Sequence, residues 1–270
     1  MKRIRFLALA LLATACAATP ADTSSALDAA LAGAQRSAAD RARDPFRHPK
    51  QTLEFFGLRD DITVIELWPG AGWYTQLLAP VLREHGKLIV AHFDPKQTGY
   101  YGRTRAAYDA MLKANPALYD RVQVLDFQPP ALMDLGPPAS ADLVLTFRNL
   151  HNWMQADALE PVFLAAFRVL KHGGTFGIVE HRADASADDA TVAKTGYVRE
   201  AYVIKVAEQA GFELVAKSEI NANPKDDRDH PEGVWTLPPT LRMGEKDKEK
   251  WLAIGESDRM TLKFLKPKGK

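Results

Sequence analysis

Apolar-rich runs at Thr63–Leu67, Lys87–His92, Val122–Asp126, Leu143–Phe147 and Thr175–Glu180 recur through the middle of the chain, separated by helical stretches at Tyr74–Glu84, Arg103–Leu118 and Asp157–Leu170. The runs are nearly continuous rather than alternating, as strands covered on both faces require. Strands alternating with helices build right-handed βαβ units, which predicts an α/β fold with a doubly wound, mostly parallel sheet. The last third changes pattern. A helix over Gly196–Ala210, capped by Gly211, precedes strands at Phe212–Ile220 and Arg259–Leu265 that a long polar loop separates. These two late strands are expected to pair antiparallel and complete a seven-stranded sheet.

The first of these strands leads into Val64-Ile65-Glu66-Leu67-Trp68-Pro69-Gly70-Ala71-Gly72-Trp73-Tyr74-Thr75. An acid closes the strand, two glycines bracket one residue, and a helix begins. The glycines permit positive φ and close approach of a ligand to the backbone, and the helix N-terminus faces that ligand. Glu66 offers a carboxylate to a hydroxyl or an amine. The segment therefore suggests a nucleotide-like cofactor. A dinucleotide fingerprint needs a third glycine where this chain has Thr75, and no P-loop lysine follows, which disfavours NAD and nucleoside triphosphates.

The N-terminus has a separate logic. Met1-Lys2-Arg3-Ile4-Arg5 is basic, Phe6–Ala13 is apolar, and small residues follow at Thr14–Ala18. That is the plan of a secretory signal over residues 1–18, too short for a stable membrane anchor, and it predicts an exported, periplasmic chain. Cys16 is the single cysteine and Leu12–Cys16 resembles a lipoprotein box, so a lipid anchor there and ordinary cleavage near Ala15 or Ala18 both fit. Neither an intrachain disulfide nor a cysteine-based zinc site is available. Residues 19–44 read as a linker running into a helix over Ser25–Arg43, and residues 45–270 as the folded domain. A net charge of +1 in 270 residues gives no reason to expect nucleic acid as partner. Removal of Lys2, Arg3 and Arg5 leaves a mildly acidic chain.

The strand plan together with Glu66–Thr75 resembles the class I S-adenosylmethionine-dependent methyltransferases. Within them it is most similar to predicted exported members whose first motif reads E-L-W-P-G-x-G-W-Y-T. The resemblance spans roughly residues 45–267 and implies the Rossmann-like methyltransferase fold, S-adenosyl-L-methionine as cofactor and methyl transfer to a small-molecule acceptor. Glu66 matches the acid near the methionine amino group, Gly70 and Gly72 the glycines against which the cofactor packs, and Trp73 completes the motif. Trp68 stands where most relatives carry a further glycine. His92 falls at the usual ribose acid, which makes Asp94 the ribose candidate, with a turn cap before Pro95 as its alternative. Asp126-Phe127 matches the acid–apolar pair around adenine.

Ligands of open α/β sheets lie beyond the carboxyl ends of the strands. After the fourth strand comes Arg148-Asn149-Leu150-His151-Asn152-Trp153, the family's pocket-lining fourth motif. His151 has a suitable unperturbed pKa for a general base. Asn149 or Asn152 would orient an acceptor, Trp153 would cover the sulfonium, and Arg148 joins them as a substrate-side residue. His151 and Asn152 capping the next helix is the alternative. Glu180-His181-Arg182 ends the fifth strand, where Arg182 suits an anionic group or pairs with Asp184 or Asp188, and Tyr197 and Arg199 are further rim candidates. No H-x-H, H-x-x-H or H-E-x-x-H spacing occurs, so no metal site is expected. Lys225–His230 reads as a solvated loop. A non-catalytic exported binding protein of the same fold is the competing reading, since the methyl donor is made in the cytoplasm.

Overall fold

A computed structural model describes residues 23–268; residues 1–18, the expected secretory signal, and Cys16 lie outside the described residues. Helices α1 (Thr23–Ala32), α2 (Ala38–Arg41), α3 (Asp44–Arg47) and α4 (Pro49–Phe56) precede the first strand. The expected single helix over Ser25–Arg43 is therefore broken. The chain turns after Ala32, and Ser37 starts α2 with a capping box, its hydroxyl accepting from the Asp40 amide while Asp40 accepts from the Ser37 amide. This arm packs on the domain. Gln35 Nε2 donates to the Gln76 carbonyl at 3.1 Å, and Trp73 Nε1 donates to the Asp40 carbonyl at 3.2 Å.

The sheet follows as β1 (Thr63–Leu67), α5 (Thr75–Leu82), β2 (Lys87–His92), α6 (Gly99–Ala114), α7 (Pro116–Tyr119), β3 (Gln123–Asp126), β4 (Ala141–Phe147), α8 (Leu150–Gln155), α9 (Leu159–Val169) and β5 (Leu170–His181). The chain continues as α10 (Asp189–Val192), α11 (Glu200–Gln209), β6 (Glu213–Ser218), α12 (Lys248–Ile254) and β7 (Arg259–Leu265). Asn115 interrupts the helix expected over Arg103–Leu118, because Pro116 lacks an N–H and pushes its predecessor out of the helical region. The strand order is β3-β2-β1-β4-β5-β7-β6. β1 to β5 pair in parallel, and β7 runs antiparallel between β5 and β6.

Successive residues of a strand face opposite layers. Ile65 and Leu67 join Phe163, Phe176 and Phe264 in one apolar layer, whereas Val64 joins Leu53, Leu77 and Leu145 in the other. Val64, Ile65 and Leu67 are all wholly buried, each worth about 1.5–3 kcal/mol relative to exposure. That double coverage explains the continuous apolar runs of the parallel strands. It leaves the carboxyl ends of β1, β4 and β5 as the place where polar side chains gather.

Candidate active site

A cavity of about 600 Å³ opens at that rim. Its walls come from the arm (Asp40, Arg43, Arg47), the loop after β1, the loops after β2 and β4, and the β6–β7 connection through Trp235, Arg242, Glu256 and Ser257. The loop after β1 is built from left-handed residues: Trp68 (φ 47°), Gly70 (φ 61°) and Gly72 (φ 91°). A Cβ on Gly70 would meet nothing within 4 Å, so this backbone faces open cavity. A Cβ on Gly72 would lie 2.6 Å from Met111 Cε, so Gly72 serves the packing of α6 and does not line the cavity.

Glu66 lines the cavity although it is almost wholly buried. Burial raises its carboxyl to about 7, opposed by a hydrogen bond from Thr75 Oγ1 at 2.6 Å. Trp68 takes the left-handed backbone a glycine would adopt easily, a conformation that costs a bulky residue of order 1–3 kcal/mol. Packing holds it there. The indole meets Phe93 at 4.7 Å, Trp153 at 5.4 Å and Tyr101 at 5.7 Å, and its Nε1 donates to the Phe127 carbonyl at 2.9 Å.

The residues assigned to the adenosyl half lie elsewhere. Asp94 Oδ1 accepts from the Lys96 amide at 2.9 Å, the turn-cap alternative, and does not reach the cavity. Asp126 pairs with Arg105 at 2.8 Å on the outer surface, and Phe127 is wholly buried; neither lines the cavity. His92 is buried, bonded through Nε2 to the Gly70 carbonyl at 3.0 Å and through Nδ1 to the Phe93 amide. Desolvation holds its pKa down at about 4, so it is a neutral brace for the β1 loop. What reaches the cavity from this side is aromatic: Trp68, Phe93, Tyr100 and Tyr101.

On the β4 side, Asn149, His151 and Asn152 line the cavity, as Arg148 and His181 do. Asn149 Nδ2 donates to the Leu67 carbonyl at 3.1 Å and the Trp68 carbonyl at 3.2 Å, tying β4 to the end of β1. His151 Nδ1 lies 3.2 Å from Glu180 Oε1, and its Nε2 lies 3.1 Å from Asn152 Nδ2. Glu180 is wholly buried and also accepts from the Leu150 and His181 amides. An acceptor carboxylate on one side and an amide donor on the other assign the proton to Nδ1, so that the Nε2 lone pair accepts from Asn152 Nδ2. His181 Nδ1 bonds Ser257 Oγ, and burial, with His151 and Arg148 nearby, keeps its pKa well below the usual histidine value.

Spacing gave no metal motif, yet the fold brings a donor atom from each of His151, Glu180 and His181 within 4.8 Å of one another. Protein partners already engage Glu180 and His181. A second such group, Asp226, Asp227 and His230, corrects the expectation of a solvated loop there. Asp226 is buried and accepts from Tyr197 Oη at 2.9 Å, His230 Nε2 at 2.8 Å and the Asp258 amide at 2.7 Å. Tyr197 is consequently structural and away from the cavity. Arg182 also faces away. It is held by Asp258 at 2.9 Å and Glu219 at 2.6 Å, rather than by Asp184 or Asp188. Arg199 pairs with Asp189, and Trp153 is wholly buried behind Trp68.

The cavity residues missed in the sequence include Arg43, Arg47, Trp235, Arg242 and Glu256, and the aromatic Phe93, Tyr100 and Tyr101. One signal pointed to Glu256. A β7 strand running against its neighbours must begin at the rim where they end, so the residues just before Arg259 belong to the site. No local pattern marks Arg47, which closes the four-residue helix α3 just before His48 and Pro49.

The strand order and the reversed β7 match structures with related plans. A SAM dependent methyltransferase from Aquifex aeolicus is 19% identical, covering 67% of this chain and 87% of its own, with a TM-score of 0.52. This chain has the Rossmann-like methyltransferase fold. The [4+2]-cyclase SpnF shares that methyltransferase fold at 14% identity, covering 92% of this chain and 94% of its own, TM-score 0.61. Phosphoethanolamine N-methyltransferase 2 of Haemonchus contortus, in complex with S-adenosyl-L-methionine, shares it at 13% identity, covering 82% of this chain and 53% of its own, TM-score 0.54. No protein-family model matches the chain, and no curated protein matches it. The structural neighbours are thus class I S-adenosylmethionine-dependent methyltransferases, and one further neighbour is a cyclase. Among the described residues no helix is long and apolar enough to cross a membrane.

Proposed function

We propose that this chain is an S-adenosylmethionine-dependent methyltransferase acting on a small molecule. The observation that carries the reading is Glu66, a buried carboxyl at the end of β1 that faces the cavity beside the open backbone of Gly70. Both fit the methionyl end of the cofactor, where a carboxylate meets an ammonium group in a charge-assisted contact. The aromatic wall of Trp68, Phe93 and Tyr101 would hold the adenosyl end, since Asp94 and Asp126 do not line the cavity. S-adenosylmethionine supplies, when bound, a methyl group on a sulfonium. The chain's own task is to align the acceptor and exclude water. His151, oriented by Glu180 through Nδ1, takes a proton at Nε2 from an acceptor that carries one once that acceptor displaces the Asn152 amide from Nε2, and the freed amide positions the same acceptor.

Titration calorimetry with S-adenosylhomocysteine tests this reading. Binding tighter than millimolar is expected. Tyr101→Ala should weaken it by about 1–3 kcal/mol, the worth of one base–aromatic stack. Asp94→Ala and Asp126→Ala should each leave the affinity within about twofold, as surface changes do. Loss of binding in the two aspartate variants, with Tyr101→Ala silent, would restore the family's usual adenosyl contacts instead.

The second reading is a non-catalytic binding protein. One observation favours it: neither Asp94 nor Asp126 reaches the cavity. It predicts that an adenosyl or other small ligand binds with no methyl transfer from S-adenosylmethionine to any acceptor. We further propose that residues 1–18 export the chain to the periplasm, with residues 45–270 as the methyltransferase-like domain. Cell fractionation of the full chain, compared with Cys16→Ala, separates a lipid-anchored product from a free one.

A further inference from the structure

The arm and the β6–β7 connection bring an unusual charge arrangement to one end of the cavity. Arg43, Arg47 and Arg148 all line it. Glu256 is the carboxylate that Arg43 and Arg47 share: its oxygens lie 2.6 Å from Arg43 Nε and 3.3 Å from Arg47 Nε, and it also pairs at 3.0 Å with Arg259 behind the wall. Arg47 is 1% exposed, and both its Nη1 and Nη2 lack a hydrogen-bond partner. Arg43 Nη2 is buried and unpartnered as well. Arg148, on the same cavity wall, makes no side-chain hydrogen bond and holds a left-handed backbone (φ 64°), against the preference of a non-glycine residue.

Buried cations with unmet N–H groups are costly, and one carboxylate does not neutralise four guanidinium groups. The other acids at the cavity are engaged elsewhere. Asp40 Oδ2 accepts from the Ser37 hydroxyl at 2.7 Å, and Glu66 is held by Thr75. Trp73 fixes the geometry, because the Arg47 guanidinium carbon lies 4.5 Å over its ring with Arg36 at 5.1 Å. A planar fork held on an aromatic face, with both terminal nitrogens free, is prepared for an oxyanion.

We propose that Arg43, Arg47 and Arg148 form an oxyanion site that binds a carboxylate or phosphate group of the second substrate. This rests on reading the cavity as a substrate pocket. It narrows the acceptor to small anionic molecules.

Thermal melting in Tris buffer at fixed ionic strength, with sodium phosphate or sodium malonate against sodium chloride, tests the site and tells the two oxyanions apart. At about a hundredfold excess over Kd, one of the two should raise Tm by about 5–10 °C. Arg148→Gln is the informative variant because it breaks no hydrogen bond. Its Tm without added anion should match or exceed that of the natural chain, since a repulsive neighbour is gone. Its anion affinity should fall by about tenfold or more. The site is overturned if neither anion shifts Tm, if Arg148→Gln keeps the full shift, or if saturating S-adenosylhomocysteine abolishes it. That last outcome would give the arginines to the cofactor's own carboxylate. Calorimetry with S-adenosylhomocysteine alone reports on the methyl-transfer reading independently: its failure beside an intact anion shift would sink that reading and spare the site.

Discussion

Replacing Glu66 with glutamine is expected to stabilise the empty chain at pH 8 by about 3 kcal/mol and to flatten its pH dependence. The carboxyl titrates near 7 in the folded chain and near 4.5 when exposed, burial being the main cause. Between those values the folded chain keeps a proton that the unfolded chain releases. Stability is thus fully present below about pH 4.5, falls as pH rises toward 7, and is lowest above it. Denaturant unfolding of both proteins at pH 5 and pH 8 checks this, and equal slopes in the two proteins would refute the burial argument. The same acid should matter in the opposite sense for the ligand. Glu66→Ala is expected to weaken S-adenosylhomocysteine binding by about 1–3 kcal/mol, a lost charge-assisted hydrogen bond. Unchanged affinity would mean the acid serves the fold alone. A group that destabilises the empty chain yet anchors a ligand is the usual mark of a functional residue.

Trp68 carries the second large effect. Trp68→Ala should cost about 3–5 kcal/mol, because the indole fills the space between Phe93, Tyr101 and Trp153 and nothing else can. Trp68→Gly removes as much ring, but its backbone adopts φ 47° without strain. The glycine variant should therefore be more stable than the alanine variant by about 1 kcal/mol, reversing the usual order. Thermal unfolding of the pair decides the matter. An alanine variant that is the more stable would show that the left-handed backbone at Trp68 is not under strain.

The strands were readable because parallel strands covered on both faces leave continuous apolar runs, and Thr63–Leu67, Lys87–His92 and Arg259–Leu265 were expected at the bounds they occupy. Glu66, Gly70, His151 and His181 were readable as rim residues because each stands where a strand ends. The departures share a cause. Correspondence with a family pattern puts Asp94 and Asp126 at the cofactor, but neither lines the cavity, because the groups around them decide where a carboxylate points. Here Lys96 and Arg105 claim them. Lys225–His230 looked solvated because its charges are dense in sequence, whereas Asp226 is buried by partners more than twenty residues away, Tyr197 and Asp258. Arg47 was invisible for the same reason: its meaning comes from Trp73 and Glu256, contacts no local window contains.

Arg43 and Arg47 belong to the arm before β1, not to the sheet. The strands could keep their order, their register and Glu66 while the arm changed its charges. If the arm arginines bind the second substrate as proposed, ligand choice is separable from the scaffold: exchanging residues 33–48 for those of another protein of this fold should transplant one pole of the cavity and leave the other in place. Proteins that superpose on this chain strand for strand need not share its ligand, because part of what selects that ligand is carried on a removable wall.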